Sequence, residues 1–258
     1  MFTRPFVFIA LALQCVALRA ELILHPTGTP NEVRAVFSGQ ILPPDVVSAR
    51  ELGARLKSGK QTLAGNVVGF ASGGGEFYAS MELGRVLRGL GLSTVVARND
   101  ECMSACAFAF MGGERRKVEG RLGVHRPWFP VAQDFPDRQL KYRTLQKALR
   151  AYIDEMDFPD SFYEMVMAVP PESMHFLAPA ELKRFYLEGI SPSSEDLADA
   201  AAARSLGLNM YDYLQVKAKS VAEGRPVHLT NRGTSCMGTP SGRTSGEVAC
   251  GNAVELSR

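Results

Sequence analysis

The sequence predicts an α/β fold, a parallel sheet with helices on both faces. Three observations carry that prediction. Short apolar runs alternate with amphipathic stretches through the first half of the chain. One run, Val67-Val-Gly-Phe-Ala71, is apolar throughout, as a strand covered on both faces requires. Glycine clusters, Ser72-Gly-Gly-Gly75 and Gly112-Gly113, mark the passage from one element to the next. The composition agrees: 258 residues, 46% apolar and 22% charged, suit one sizeable core or one domain with an appendage. The net charge is +2, so charge gives no argument for a nucleic-acid or anionic-membrane partner.

Along the chain, a basic lead at Met1-Phe-Thr-Arg4 precedes an apolar run over 6–13 that is too short to span a bilayer. Small residues follow at Ala17 and Ala20, and the chain turns polar at Glu21. This predicts a secretory signal peptide over 1–20, cleaved after Ala17 or Ala20, and a mature chain in the periplasm or outside the cell. No later stretch is long and apolar enough to span a membrane. A strand is expected over 33–37 and a helix over 46–57 with Asp45 as its N-cap. The buried strand over 67–71 ends in a turn at Ser72–Gly75. The following helix carries its apolar stripe on Phe77, Met81, Gly84, Leu87 and Leu90. A strand over 93–97, a short buried helix over 105–111, a basic turn at Glu114-Arg-Arg-Lys117 and a strand over 122–124 complete the alternation. After Pro127 the character becomes helical, with segments over 137–157, 159–169, 180–187 and 194–206. The expected division is a signal peptide over 1–20, an α/β domain over 21–190, and a helical segment with a Gly/Ser-rich tail over 191–258.

Removing the signal leaves Cys102, Cys106, Cys236 and Cys250, two close pairs that suit an oxidising compartment. A Cys236–Cys250 bridge would close a loop of about 15 residues, worth roughly 3 kcal/mol on the chain-entropy argument. Cys102 and Cys106 bracket Ser104. They form either a bridge that locks the turn around that serine or two buried thiols. No histidine stands at zinc-ligand spacing from either pair, so no metal site is expected.

The chemistry concentrates between Ser72 and Pro127. Ser104 stands at a helix N-terminus, where free N–H groups and the dipole favour negative charge. His125 ends a strand, and histidine is the side chain suited to proton transfer near neutrality. Together they are what a serine nucleophile and its base require. Ser72-Gly-Gly-Gly75 lets backbone N–H groups approach a ligand, as an oxyanion hole or a phosphate site, although a tight strand–helix turn explains it equally. It lacks the Lys-Ser/Thr of a P-loop and does not fit G-x-G-x-x-G. Taken singly, Ser104 reads as a helix cap and His125 as a core histidine. Their order along the chain, strand–glycines–helix, strand–serine–helix, strand–histidine–proline, says more.

Ser72-Gly-Gly-Gly75, the segment from Cys102 to Gly113 and Gly123-Val-His-Arg-Pro127 together resemble the Clp protease proteolytic subunit and, more broadly, the Clp/crotonase superfamily. Closer still, the run looks like exported bacterial members with a C-x-S-x-C nucleophile region. The resemblance covers roughly 33–187. It implies a ClpP/crotonase-like β-β-α superhelix, with Ser104 as nucleophile and His125 as general base. It also implies oxyanion N–H groups on Gly74 or its neighbour Gly75 and on Ala105, and no cofactor. Two departures stand out. The stretch between Ser104 and His125 is somewhat shorter than is usual in the family. The family's aspartate lies just before a Phe-Leu-Ser/Thr-x-x-Glu-Ala segment, and here that place, before Phe176-Leu177, holds Met174. Methionine cannot orient an imidazole. Glu172 can substitute from two residues away, or Asp134, Asp154 or Asp157 can; otherwise the site is a dyad or inactive.

The expected function is an exported serine hydrolase acting as a peptidase on peptide or unfolded protein. The alternative is a catalytically inactive relative that binds peptide along a strand edge. Crotonase-type chemistry on acyl-thioesters would not need the serine, and such substrates are cytoplasmic. A homo-oligomer is a candidate assembly because the helix over 137–157 is where the Clp subunit family makes its inter-ring contacts.

Overall fold

In the computed structural model, which describes residues 21–128 and 137–222, the chain divides into two units, Met1–Gly189 and Ile190–Arg258. The signal segment, Asp134, Cys236 and Cys250 lie outside the described residues. The first unit runs β1 (Glu21–Pro26), β2 (Glu32–Ile41), α1 (Pro43–Lys57), β3 (Thr62–Gly75), α2 (Phe77–Gly89), β4 (Ser93–Val96), β5 (Glu101–Met103), α3 (Ala105–Met111), β6 (Arg115–Val118) and β7 (Arg121–Val124). It continues with α4 (Arg138–Glu155), α5 (Asp160–Ala168), β8 (His175–Phe176) and α6 (Pro179–Arg184). β9 (Gly189–Ile190) straddles the boundary, and α7 (Pro192–Ser205) and α8 (Met210–Ala222) form the second unit.

The topology is mixed α/β and turns on β3. One edge of β3 pairs in parallel with β2 along its length. The other edge is shared: Val67–Gly69 pair with β4, and Ser72 pairs with Cys102 of β5. From β4 the ladder continues in parallel to β6; from β5 it continues in parallel to β7 and then antiparallel to β8. β3 therefore forks, and the serine and histidine segments both belong to the branch that leaves its C-terminal half.

Three corrections to the expected elements have physical causes. Pro43 and Pro44 occupy the first helical positions, where a missing N–H costs nothing, so α1 starts earlier than expected. Asp45 is then its third residue, accepting the Leu42 N–H at 2.8 Å. Burial raises the Asp45 carboxyl above the usual range, opposed by that bond. Ser72–Gly75 is not a turn: Gly74 and Gly75 pair with Gln40 and Ile41 and stay in β3. The basic stretch after Glu114 is β6, paired to β4. Its Arg116 is buried because Nε donates to the Tyr186 carbonyl (2.8 Å) and Nη1 to Gly113 (2.7 Å) and Met111 (3.4 Å). Burial and the nearby Arg88 pull Arg116 down to about 9, which leaves it cationic at neutral pH. Arg88 donates to the Met111 and Gly112 carbonyls as well, so two cations face the C-terminal end of α3.

α3 is buried at every residue, as a helix apolar all round must be. It packs on α2 closely enough that a Cβ on Gly112 would lie 2.1 Å from the Gly84 carbonyl. Tyr152 of α4, fully buried, donates its hydroxyl to the Phe108 carbonyl at 2.6 Å. Below β3, Phe37 stacks on Phe70 and Phe110 meets Phe70 edge-on. In the second unit, Lys217 bonds Asp199 (2.7 Å) and Glu195 (2.8 Å), and Tyr213 donates to Asp199 (3.1 Å). Burial alone would lower the Lys217 ammonium, but these two carboxylates outweigh it and hold it above its usual range.

Candidate active site

Three parallel strands present the candidate residues at their C-terminal ends. Ser72, Cys102 and Leu122 stand side by side in β3, β5 and β7 and face the core. By alternation Met103 and Gly123, also paired, face the other way, and His125 shares their face. Continued alternation would send Ser104 into the core with Cys102. It does not, because Ser104 takes φ 56°, ψ −128°, a conformation rare for a residue with a side chain. This elbow leaves the serine half-buried where β5 becomes α3. Its own N–H is given to the Gly123 carbonyl at 2.9 Å, which ties the elbow to the histidine strand. Strands in a ladder lie about 4.8 Å apart, so Ser104 and His125 end neighbouring strands.

The elbow needs room on the β3 side. A Cβ on Gly74 would lie 2.9 Å from Ser104 Cβ, 3.0 Å from the Met103 carbonyl and 3.3 Å from the Ala105 nitrogen, and Gly74 has φ 115°. Glycine is required there on both counts. Gly74 is not a free donor, however. Its N–H goes to Ser72 Oγ at 3.1 Å, and that hydroxyl lies 3.2 Å from the Gly74 carbonyl. Ala105 is the first residue of α3, where an N–H has no partner within the helix. Cys102 and Cys106 form the bridge (S–S 2.00 Å) and enclose Ser104 between a strand residue and the first turn of α3.

His125 is buried, 9% exposed, and its Nδ1 lies 2.9 Å from the carbonyl oxygen of Arg126. Among the described residues no hydrogen bond joins Ser104 to His125, and none joins Glu172 to His125. Glu172 is exposed in the segment before β8. Asp154 is exposed on α4, and Asp157 lies 3.6 Å from Arg88 Nη1. Met174 precedes His175, which pairs with Val124, so Met174 lies beside the end of β7. Its thioether covers Gly123, where a Cβ would come within 2.8 Å of the sulfur. An apolar cleft of about 450 Å³ opens next to it, walled by Met165, Val169, Pro170, Met174, His175 and Glu181. The Glu181 carboxylate accepts the Ala178 N–H and His175 Nε2, and these bonds hold its carboxyl below the usual range. Among the described residues, no cluster of three or more metal-ligating side chains occurs and no helix is long and apolar enough to cross a membrane.

No protein-family model matches the chain, and no curated protein does. The fold resembles two solved structures at low identity. One is a mutant of the 1510-N membrane-bound stomatin-specific protease, 12% identical over 61% of this chain and 75% of that one, with a TM-score of 0.44. The other is a mutant of ClpP1 from Listeria monocytogenes, 13% identical over 60% of this chain and 88% of that one, with a TM-score of 0.45.

Of the residues singled out in the sequence, the structure brings Gly74, Ser104 and Ala105 together and bonds Ser104 to the strand that precedes His125. What sequence reasoning missed was main-chain chemistry: the capture of the Gly74 N–H by Ser72, and the Arg126 carbonyl against His125. The only sequence signals for these were a serine two residues before a glycine and a proline following the His-Arg pair.

Proposed function

We propose that the protein is an exported serine hydrolase that cleaves peptides, with Ser104 as nucleophile and His125 as base. The observation that supports this most is the Ser104 elbow. A backbone conformation costing on the order of 1–3 kcal/mol turns one hydroxyl out of the core and beside a histidine-bearing strand. Such strain persists only where the surrounding structure imposes it, and it clusters at active sites. In the reaction, Ser104 Oγ attacks the scissile carbonyl as its proton passes to His125 Nε2. The oxyanion is held by the N–H groups of Ala105 and Gly75, since that of Gly74 is engaged. His125 then returns the proton to the leaving amine, and water releases the acyl group by the same route. The missing Ser104–His125 bond is formed by rotation of the serine on substrate binding; such bonds are often long in the free enzyme. The buried bridge at Cys102–Cys106 and the apolar N-terminal segment support export.

The test is covalent labelling. A fluorophosphonate should modify the wild type at Ser104, and Ser104→Ala should abolish labelling. Glu172→Gln should leave it unchanged; abolition would make Glu172 the third member. Met174 in the aspartate's place favours a second reading, an inactive peptide-binding relative. If neither the wild type nor Met174→Asp reacts with any acyl or phosphonyl probe while the fold is intact, that reading replaces the first.

A further inference from the structure

We propose that the main-chain carbonyl of Arg126 is the positioning group for His125, taking the place of a carboxylate and holding the ring as its Nδ1–H tautomer. A carbonyl oxygen only accepts, so at 2.9 Å the proton between them belongs to Nδ1. In the neutral ring the lone pair then lies on Nε2, the nitrogen a base needs. The peptide before it is fixed. The Arg126 N–H donates to the Val169 carbonyl at 3.0 Å, which anchors the His125–Arg126 peptide, and with it the Arg126 Cα, to the segment after α5. Pro127 disfavours helical backbone at Arg126, which narrows the range through which the carbonyl can turn. Burial of the imidazole leaves little water to compete for Nδ1. Met174, whose thioether covers Gly123 two residues before His125, brings no carboxylate to this strand end.

The consequence for catalysis rests on the hydrolase reading above: tautomer and ring orientation are supplied by the main chain, while the imidazolium gains a dipole rather than a full charge. The device also explains how Met174 is tolerated, because the correct tautomer, whose loss costs about 10⁴ in rate in a Ser-His-Asp enzyme, is retained without the carboxylate.

Two measurements test this, and only one needs activity. In protein labelled with ¹⁵N-histidine, long-range ¹H–¹⁵N correlation at a pH where free histidines are neutral should show His125 protonated on Nδ1 and bare on Nε2. His125→Gln identifies the signal among the four histidines. An Nε2–H tautomer overturns the proposal, whatever the protein's activity. The second measurement replaces Pro127 by an α-hydroxy acid, which turns the Arg126 carbonyl into an ester carbonyl, a weaker acceptor. Because proline has no N–H, no donor is lost, and removal of the ring's restraint on Arg126 weakens the contact in the same direction. The His125 Nδ1–H resonance should move upfield and fluorophosphonate labelling should slow about fivefold, the weight of one weakened hydrogen bond. An unmoved resonance overturns the proposal. If the resonance moves but the wild type never labels, the hydrolase reading falls while the Arg126 contact stands.

Discussion

Replacing Gly74 by alanine should disable the site, whereas the same change at Gly73 should not. At Gly74 the new Cβ meets Ser104 Cβ at 2.9 Å and the Met103 carbonyl at 3.0 Å, and φ is 115°. The backbone strain is worth about 1–3 kcal/mol, and the overpacking adds about 1–3 kcal/mol. A loss near 3 kcal/mol would lower Tm by roughly 6–12 °C for a unit of this size. Relief has one direction open, displacement of the elbow. A shift approaching 1 Å at a reacting group costs about a hundredfold, so labelling of Ser104 should slow by between about ten- and a hundredfold. Gly73 is exposed, has ordinary backbone, and its Cβ meets nothing within 4 Å. Gly73→Ala should therefore keep both Tm and labelling rate. The assay is the fluorophosphonate second-order rate beside thermal unfolding by circular dichroism. Equal labelling rates for Gly73→Ala and Gly74→Ala would refute the claim that Gly74 makes room for the nucleophile.

Met174→Asp should speed labelling about tenfold, the difference between a charged and a neutral acceptor for His125; no gain would mean the new carboxylate does not reach the ring. Tyr152→Phe removes the donor to the Phe108 carbonyl and should cost about 1–3 kcal/mol in urea unfolding with an unchanged m-value. Because the Glu181 carboxyl is held low by the Ala178 N–H and by His175, its stabilisation is present above the usual glutamate range. It is lost as pH falls through the folded value. Glu181→Gln should accordingly flatten the acid limb of the stability–pH curve, which a urea series across that range would reveal. Thiol counting on denatured, unreduced mature protein should find none; two free thiols assigned by mass spectrometry to Cys102 and Cys106 would contradict the bridge.

How far a sequence discloses its fold differs from element to element here. α3 was legible because seven consecutive apolar residues stopped by two glycines leave few alternatives. β5 was not, being three residues long and carrying a glutamate and a cysteine. β6 was hidden for a different reason: Arg116 faces the interior to satisfy carbonyl oxygens of α3 and Tyr186, so its charge masked a buried position. At the candidate site, the serine, the histidine and the glycine run stand out by residue type, while the Gly74 and Arg126 contacts are main-chain events with almost no residue signature.

The Cys102–Cys106 bridge bears on how the protein is made. Both cysteines are fully buried, and Cys102 lies in a strand paired on both edges. Thiol–disulfide exchange needs access to sulfur. An oxidant must therefore reach these thiols while β5 is still an open chain, before β3 and β7 close over it. Afterwards neither oxidant nor reductant has a way in, so each molecule carries the redox state it held at the moment of folding. Production in a reducing compartment followed by later exposure to air would give a population sealed in the dithiol form, and only unfolding would reopen the choice.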